Sequence, residues 1–309
     1  MPEVSVVIPS FRGGRFLRES VASVQSQTFE DWEIVIVLDG CEDDISDIEH
    51  NDGRIRVIRQ GRRGVSIARN VGVRNARSDL VAFLDDDDRM LPDRLRVQVD
   101  AMSHQKWGLC HTQFRFIDEN GEFIGPGNSK DAQYQGFLRG DGVFFLSSVM
   151  ARKSAIQDVG GFNPLLSVGE DIDLVYRIAR EFSVVFIPEI LAEYRRHGKN
   201  VWLDGPSEGR EIKLILTEHL WASEAKDNTQ DLQAVRVGLE TVMTGRAKSA
   251  MLRAIEARSR RDFKGLLSGL AQAFILSPIV SLKVVIRAIR REVVGSRSVG
   301  DQVHQSDKG

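Results

Sequence analysis

Apolar and polar positions alternate along the first eighty-odd residues in a repeating order. Residues 4–8, VSVVI, form a β-branched apolar run ended by Pro9, which predicts a buried strand. Residues 16–27 carry apolar side chains at 17, 21 and 24, a helical spacing. Residues 33–38, EIVIVL, predict a second strand stopped by Asp39-Gly40, and residues 54–58, RIRVI, a weaker third. Residues 64–76 read as a helix. Residues 80–84 read as a strand that runs straight into Asp85, Asp86, Asp87 and Asp88. This β-α-β order predicts an α/β fold with a mainly parallel sheet and helices on both faces. Ligands bind such sheets at the carboxyl ends of the strands. Pro9, Phe11, Asp39 and the aspartate run are therefore expected to converge on one cleft.

The pattern then becomes more mixed. A helix is expected from Pro92, and a hairpin over 109–124 with Asn120-Gly121 as its turn. An apolar run at 144–150, a tight Gly160-Gly161-Phe162 loop, a helix over 171–182 and a strand at 184–187 follow. From about residue 205 the chain becomes glycine-poor and helical in pattern, to about residue 294, and 295–309 read as a polar, frayed tail. We expect one domain over 1–204 and a helical C-terminal region over 205–294.

Composition changes this picture little. The chain has 309 residues, 42% hydrophobic content and a net charge of −2, so no global field points to nucleic acid as the partner. Two cysteines, Cys41 and Cys110, suit reduced thiols in a cytoplasmic protein better than a disulfide framework. The first residues lack a basic stretch followed by an apolar one, so no signal peptide is expected. No apolar run reaches the length of a spanning helix.

The aspartate run carries the chemistry. Neighbouring carboxylates near an apolar strand cost free energy unless something neutralises them. Exposure on a loop is one solution, and relief of Asp88 by the helix that starts near Pro92 is another. The third is a hard divalent cation, which takes oxygen ligands and leaves coordination positions for phosphate. If the chain stays extended, Asp85 and Asp87 share a face. Asp39 at the end of an adjacent strand suits hydrogen bonds from a base or sugar, and Phe11 suits stacking on a base. Arg62, Arg63 and Arg69 suit a diphosphate.

With these pieces on one sheet edge, the chain resembles a family 2 glycosyltransferase with the GT-A (Rossmann-like) fold over roughly residues 3–200. The resemblance is carried by VSVVIPSFRGGRFLRESVASVQSQTFEDWEIVIVLDG, GVSIARNVGVRNARSDLVAFLDDDDRMLPDRL, GGFNPLLSVGEDIDLVYRIA and YRRHGKN. It implies a nucleotide-sugar half at about 1–100 and an acceptor half at about 101–204. The aspartates match the family's D-x-D motif. By that similarity Asp85 contacts the ribose or nucleotide, Asp86 belongs to the donor site, and Asp87 holds Mg²⁺ or Mn²⁺. Pro9, Phe11, Asp39 and Arg69 match nucleotide-pocket positions. The family often has two acidic residues before the glycine of the second-strand motif. Here the first of those positions is Leu38, which weakens any expectation of uridine specificity. His197 matches a late histidine that coordinates the metal or the diphosphate.

Periodicity adds a candidate base. Asp171, Val175, Ile178 and Phe182 share one helical stripe, with Glu170 and Asp173 off it, so Asp171 is expected to face the cleft. A helix N-cap is the plain alternative. The resemblance makes Asp171 the base of an inverting displacement, with Glu170 and Gly161 on the acceptor side. Residues 126–142 are expected to form a mobile lid there. The implied donor is a nucleoside-diphosphate sugar, and the implied acceptor is a glycan or lipid-linked hydroxyl in surface polysaccharide or glycolipid assembly. Between 282 and 289 an apolar stripe sits among Lys283, Arg287, Arg290 and Arg291. It fits either packing on the catalytic domain or peripheral contact with an anionic membrane at its cytoplasmic face. Rival readings are a sugar-phosphate nucleotidyltransferase, for which PSFRGGRF only partly mimics the expected glycine-rich loop, and a non-catalytic nucleotide-sugar-binding protein. A dinucleotide oxidoreductase lacks G-x-G-x-x-G after the first strand.

Overall fold

The computed structural model describes residues 1–241, apart from 12, 42, 51, 105, 167, 198–214, 220–221, 224–225 and 227. Two compact units divide at Val235 and Arg236. Most of the proposed helical region, its basic stripe and the tail lie outside the described residues. Among those described in the first unit, 215–219, 222–223 and 229–235 are helical.

The sequence alternation becomes β1 (Val4–Ser10), α1 (Gly14–Gln25), β2 (Trp32–Asp39), α2 (Ser46–Glu49), β3 (Ile55–Gln60), α3 (Val65–Asn75) and β4 (Leu80–Phe83). These four strands are all parallel, in the order β3-β2-β1-β4, with Val6 level with Ile34 on one side and Ala82 on the other. Every residue of β1 and β2 is buried, as expected of strands covered on both faces. Val4, Val6 and Ile8 meet Leu17, Val21 and Val24 of α1 in one core. Val35 and Val37 meet Ala68 of α3 on the other face. Gly72 lets α3 sit close to the sheet: a Cβ there would lie 2.3 Å from Val7 Cγ1.

The second half is mixed. It contains β5 (Arg89–Met90), α4 (Arg94–Ala101), β6 (Trp107–Ile117), β7 (Phe123–Pro126), α5 (Tyr134–Arg139), β8 (Val149–Arg152), α6 (Lys153–Asp158), α7 (Glu170–Glu181) and β9 (Ser183–Arg195). The sheet continues from β4 through β8, β6 and β9 to β5, and β7 pairs with β6 as the expected hairpin. β9 is far longer than the strand expected at 184–187. Its polar positions include Glu193 and Arg195, which hide the strand pattern because they are buried in ion pairs. Among the described residues no helix is long and apolar enough to cross a membrane.

Two expectations are corrected. The aspartates do not continue the strand: the Asp88 N–H donates to the Asp85 carbonyl at 3.2 Å, closing a turn. On α7, Glu170 and Asp173 are more buried than Asp171, since each is paired with an arginine, which a purely apolar stripe does not register. Residues 126–142 are part buried and part exposed: Phe137 and Leu138 of α5 are fully buried and the Tyr176 hydroxyl donates to the Phe137 carbonyl, while Asn128, Lys130, Asp131 and Asp141 are exposed.

Candidate active site

The carboxyl ends of β1, β2 and β4 deliver Ser10, Asp39 and the aspartate turn to one edge of the sheet. The turn sends each carboxylate to its own partner. Asp85 Oδ1 accepts from Arg69 Nη2 at 2.7 Å, and Asp86 Oδ2 from the Ser10 hydroxyl at 2.5 Å. Asp87 Oδ2 lies 2.9 Å from His197 Nε2. Asp88 is wholly buried and accepts from the Ser147 hydroxyl at 2.6 Å and the Arg195 N–H at 3.0 Å. Asp88 is thus an internal anchor and not a helix-terminal group. The Ser147 hydroxyl also accepts the Asp85 N–H, at 3.0 Å, which fixes the turn from below.

Crowding shows in the proton affinities. Burial first, then the charges of Asp87 and Asp85, push Asp86 up to about 7, with the Ser10 hydrogen bond opposing. Burial and then Asp85 raise Asp87, against the pull of His197, and burial raises Asp88 further.

Asp39 is spent largely on shaping a loop. Its Oδ1 accepts from Gln60 Nε2 at 2.9 Å and the Arg63 N–H at 2.7 Å, and its Oδ2 accepts the Gly64 N–H at 2.7 Å. That loop holds the Arg62 guanidinium 4.3 Å from the half-exposed Phe11 ring. Pro9 lies within β1, level with Val37.

Arg69 of α3 spans the two halves of the site. Nη1 donates to Glu170 Oε1 at 2.6 Å while Nη2 donates to Asp85, and the side chain is 5% exposed. Burial opposes the Arg69 charge, and Asp85 and Glu170 overcome it, so its pKa rises. The next residue, Asn70, exchanges two hydrogen bonds with the backbone of Phe162, at 2.7 and 2.8 Å. Gly161, at φ +75°, packs so closely on Asn70 that a Cβ would lie 2.6 Å from its Oδ1. Glu170 and Asp171 open α7, behind Gly169 at φ +78°. Asp171 is half-buried. Burial first, then the charge of Glu170, push its carboxyl up to about 6, and Arg69 pulls the other way. A carboxylate with that proton affinity suits accepting a proton near neutral pH.

A divalent cation fits the Asp87–His197 pair. The pair offers a carboxylate oxygen and an imidazole nitrogen, donor types such ions take, and the direct Asp87 Oδ2–His197 Nε2 contact of 2.9 Å is one that a bound ion would replace. Among the described residues no three His, Cys, Asp or Glu side chains form a ready-made cage, so such an ion would draw its remaining ligands from substrate and water.

The structure therefore brings together Asp85, Asp86, Asp87, His197, Arg69, Glu170, Asp171 and Gly161, and sets Asp39 behind the loop that faces Phe11. Sequence patterns did not single out Ser10, Ser147, Phe16 or Arg195. Only Arg195 had a visible signal, its place two residues before His197 in YRRH.

Comparison with known proteins yields matches of three kinds. The family model described as Glycosyl transferase family 2 matches residues 5–160. A Rickettsia felis protein named as an uncharacterised glycosyltransferase is 31% identical over 215 residues, covering 65% of this chain and 34% of that protein. The Escherichia coli UDP-Glc:alpha-D-GlcNAc-diphosphoundecaprenol beta-1,3-glucosyltransferase WfgD is 28% identical over 159 residues, covering 48% of this chain and 60% of that one. The chain spans about a third of the length of the rickettsial relatives that it matches. Among solved structures, S. aureus TarS 1–349 in complex with UDP-GlcNAc superposes with a TM-score of 0.61 at 13% identity, covering 89% of this chain and 91% of that one. At that identity the likeness speaks for the fold.

Proposed function

The chain belongs to glycosyl transferase family 2, and from that premise we propose that it is a metal-dependent, inverting glycosyltransferase. It moves a sugar from a nucleoside-diphosphate sugar to an acceptor hydroxyl. The observation that carries this reading is the continuous Asp85–Arg69–Glu170 bridge, with contacts of 2.7 and 2.6 Å, which joins the aspartate turn to the carboxylate pair on α7.

In this reading Phe11 and Arg62 bind the base by stacking, and Asp39 holds the loop that presents Arg62. Asp85 and Asp86 bind the ribose and the adjoining part of the donor. Asp87 and His197 hold Mg²⁺ or Mn²⁺, which when bound supplies positive charge to the leaving diphosphate. Asp171 accepts the proton of the acceptor hydroxyl at its carboxylate, and its half-buried setting keeps that carboxylate basic. Glu170 carries a negative charge next to Asp171, and Arg69 keeps that charge balanced. Gly161 lets its loop pack directly on Asn70, which holds that loop on the acceptor side. The donor class is supported by the nucleotide-sugar bound to the TarS fold. The acceptor class, a lipid-linked glycan in polysaccharide assembly, is supported by the name of the Escherichia coli relative.

The test is a panel of nucleotide-sugars with Mg²⁺ or Mn²⁺, following release of nucleoside diphosphate and the anomeric configuration of the product by NMR. Inverted product, lost with Asp87→Ala and Asp171→Asn, is expected. Metal-dependent turnover that survives both substitutions overturns the assigned roles.

A further inference from the structure

Arg195 ends β9 wholly buried, and each of its donor nitrogens is engaged. Its backbone N–H donates to Asp88 Oδ1 at 3.0 Å, and Nε to the Asp87 carbonyl at 2.8 Å. Nη1 donates to the carbonyls of Asp118 and Glu119, both at 3.2 Å, and Nη2 to Glu19 Oε2 at 2.5 Å. One guanidinium thus ties α1, the aspartate turn and the β6–β7 hairpin together. Its central carbon lies 4.6 Å from the centre of the Phe16 ring. Phe16 in turn stacks on His197, with ring centres 5.3 Å apart and planes 24° apart. His197 meets Asp87, whose carbonyl Arg195 holds.

We infer that Phe16 and Arg195, with Glu19, are positioning residues for the cation pair: Arg195 fixes the turn at Asp87, and Phe16 fixes the plane of the His197 imidazole. The inference rests on the reading that Asp87 and His197 hold the cation. The physical need is clear from the chain path. His197 lies two residues beyond the end of β9, next to Arg196, whose N–H donates to the Ile117 carbonyl at 2.8 Å. Contact with Asp87 sets where Nε2 sits, and the Phe16 ring lies against the face of the imidazole. A cation bond requires the ring nitrogen's lone pair to lie in the direction of the ion, so the ring plane has to be held as well. Offset stacking on Phe16 supplies that restraint. Phe16 is itself held by its place on the first turns of α1, three residues before Glu19, which receives Nη2 of Arg195.

The test uses the full chain with Mn²⁺ and UDP as probes. Mn²⁺ affinity is read from the free-ion EPR signal, and nitrogen coordination from the ¹⁴N modulation of the bound ion. Phe16→Leu keeps an apolar side chain without the ring, and Phe16→Tyr keeps the ring. Phe16 is only half-buried, so both are expected to fold, which melting curves check. Wild type and Phe16→Tyr are expected to show ¹⁴N coupling. Phe16→Leu is expected to lose it and to bind Mn²⁺ about 10–100-fold more weakly. Arg195→Lys, which keeps the charge but not the fork, is expected to weaken Mn²⁺ in the same direction. If Phe16→Leu keeps the wild-type coupling and affinity while His197→Ala loses both, the positioning role is wrong and the cation reading stands. If wild type shows no ¹⁴N coupling, the cation reading loses His197 and the inference falls with it.

Discussion

Removing the Arg69 charge is the sharpest perturbation of the site. In Arg69→Met, Glu170 and Asp85 both lose a partner at 2.7 Å or closer, in a place where Arg69 is 5% exposed. Breaking a buried pair by deleting one partner costs about 3–5 kcal/mol, because a charge is left without compensation. For a folded unit of this size each kcal/mol moves the melting temperature by about 2–4 °C, so a fall of roughly 6–20 °C is expected by calorimetry. Arg69 is also the positive charge that lowers the proton affinity of Asp171, against burial and Glu170. Asp171 works as a base only when ionised, so rate falls as pH drops through its pKa. Without Arg69 that pKa rises above about 6, and the acid limb of kcat/KM moves to higher pH. Glu170, Asp85 and Tyr176 also face Asp171 and are unchanged in the variant. Arg69→Lys is expected to keep most of the pH profile. Arg69→Met combined with Glu170→Gln is expected to melt above Arg69→Met alone, because the more buried of the two uncompensated charges is gone. A melting temperature within about 2 °C of wild type, which corresponds to under about 1 kcal/mol, together with an unmoved acid limb, refutes the bridging role.

Other expectations follow from single contacts. Asp171→Asn is expected to lower kcat by about 10²–10⁴-fold while leaving UDP binding, followed by calorimetry, at the wild-type level. Gly72→Ala forces α3 away from Val7 and is expected to cost about 1–3 kcal/mol in urea unfolding, although alanine is the better helix former. His111 is fully buried against Phe137, Phe144 and Phe186, and burial lowers its pKa to about 4. The folded state therefore resists protonation that the unfolded chain accepts from about pH 6.5 downward. Stability is full above that pH and is lost as pH falls toward 4, so His111→Leu should flatten the acid arm of the melting-temperature profile between those values.

The parallel half of the fold was readable because β1, β2 and β4 are continuous apolar runs, whose burial on both faces leaves no competing pattern. β9 was not, because Glu193 and Arg195 break its apolar run and only their pairing with Arg89, Arg115 and Glu19 makes their burial tolerable. Short α2, α5 and α6 lack the length over which helical periodicity becomes visible. In the site, the carboxylates were evident as residues but not as directions. A strand would have set Asp85 and Asp87 on one face, and the Asp85–Asp88 turn sends them instead to Arg69 and His197. The dependence of Asp87 on a guanidinium more than a hundred residues later has no local signature.

That long reach bears on how the protein is made. Glu19 and Arg195 are separated by 176 positions, and Arg195 is among the last residues of the sheet to leave the ribosome. While the nascent chain ends short of it, α1 and the aspartate turn exist without the residue that draws them together. A ribosome-arrested fragment that stops before β9 therefore exposes an acidic, unfinished edge, and chaperone dependence is expected to peak in that interval and fall once Arg195 has emerged.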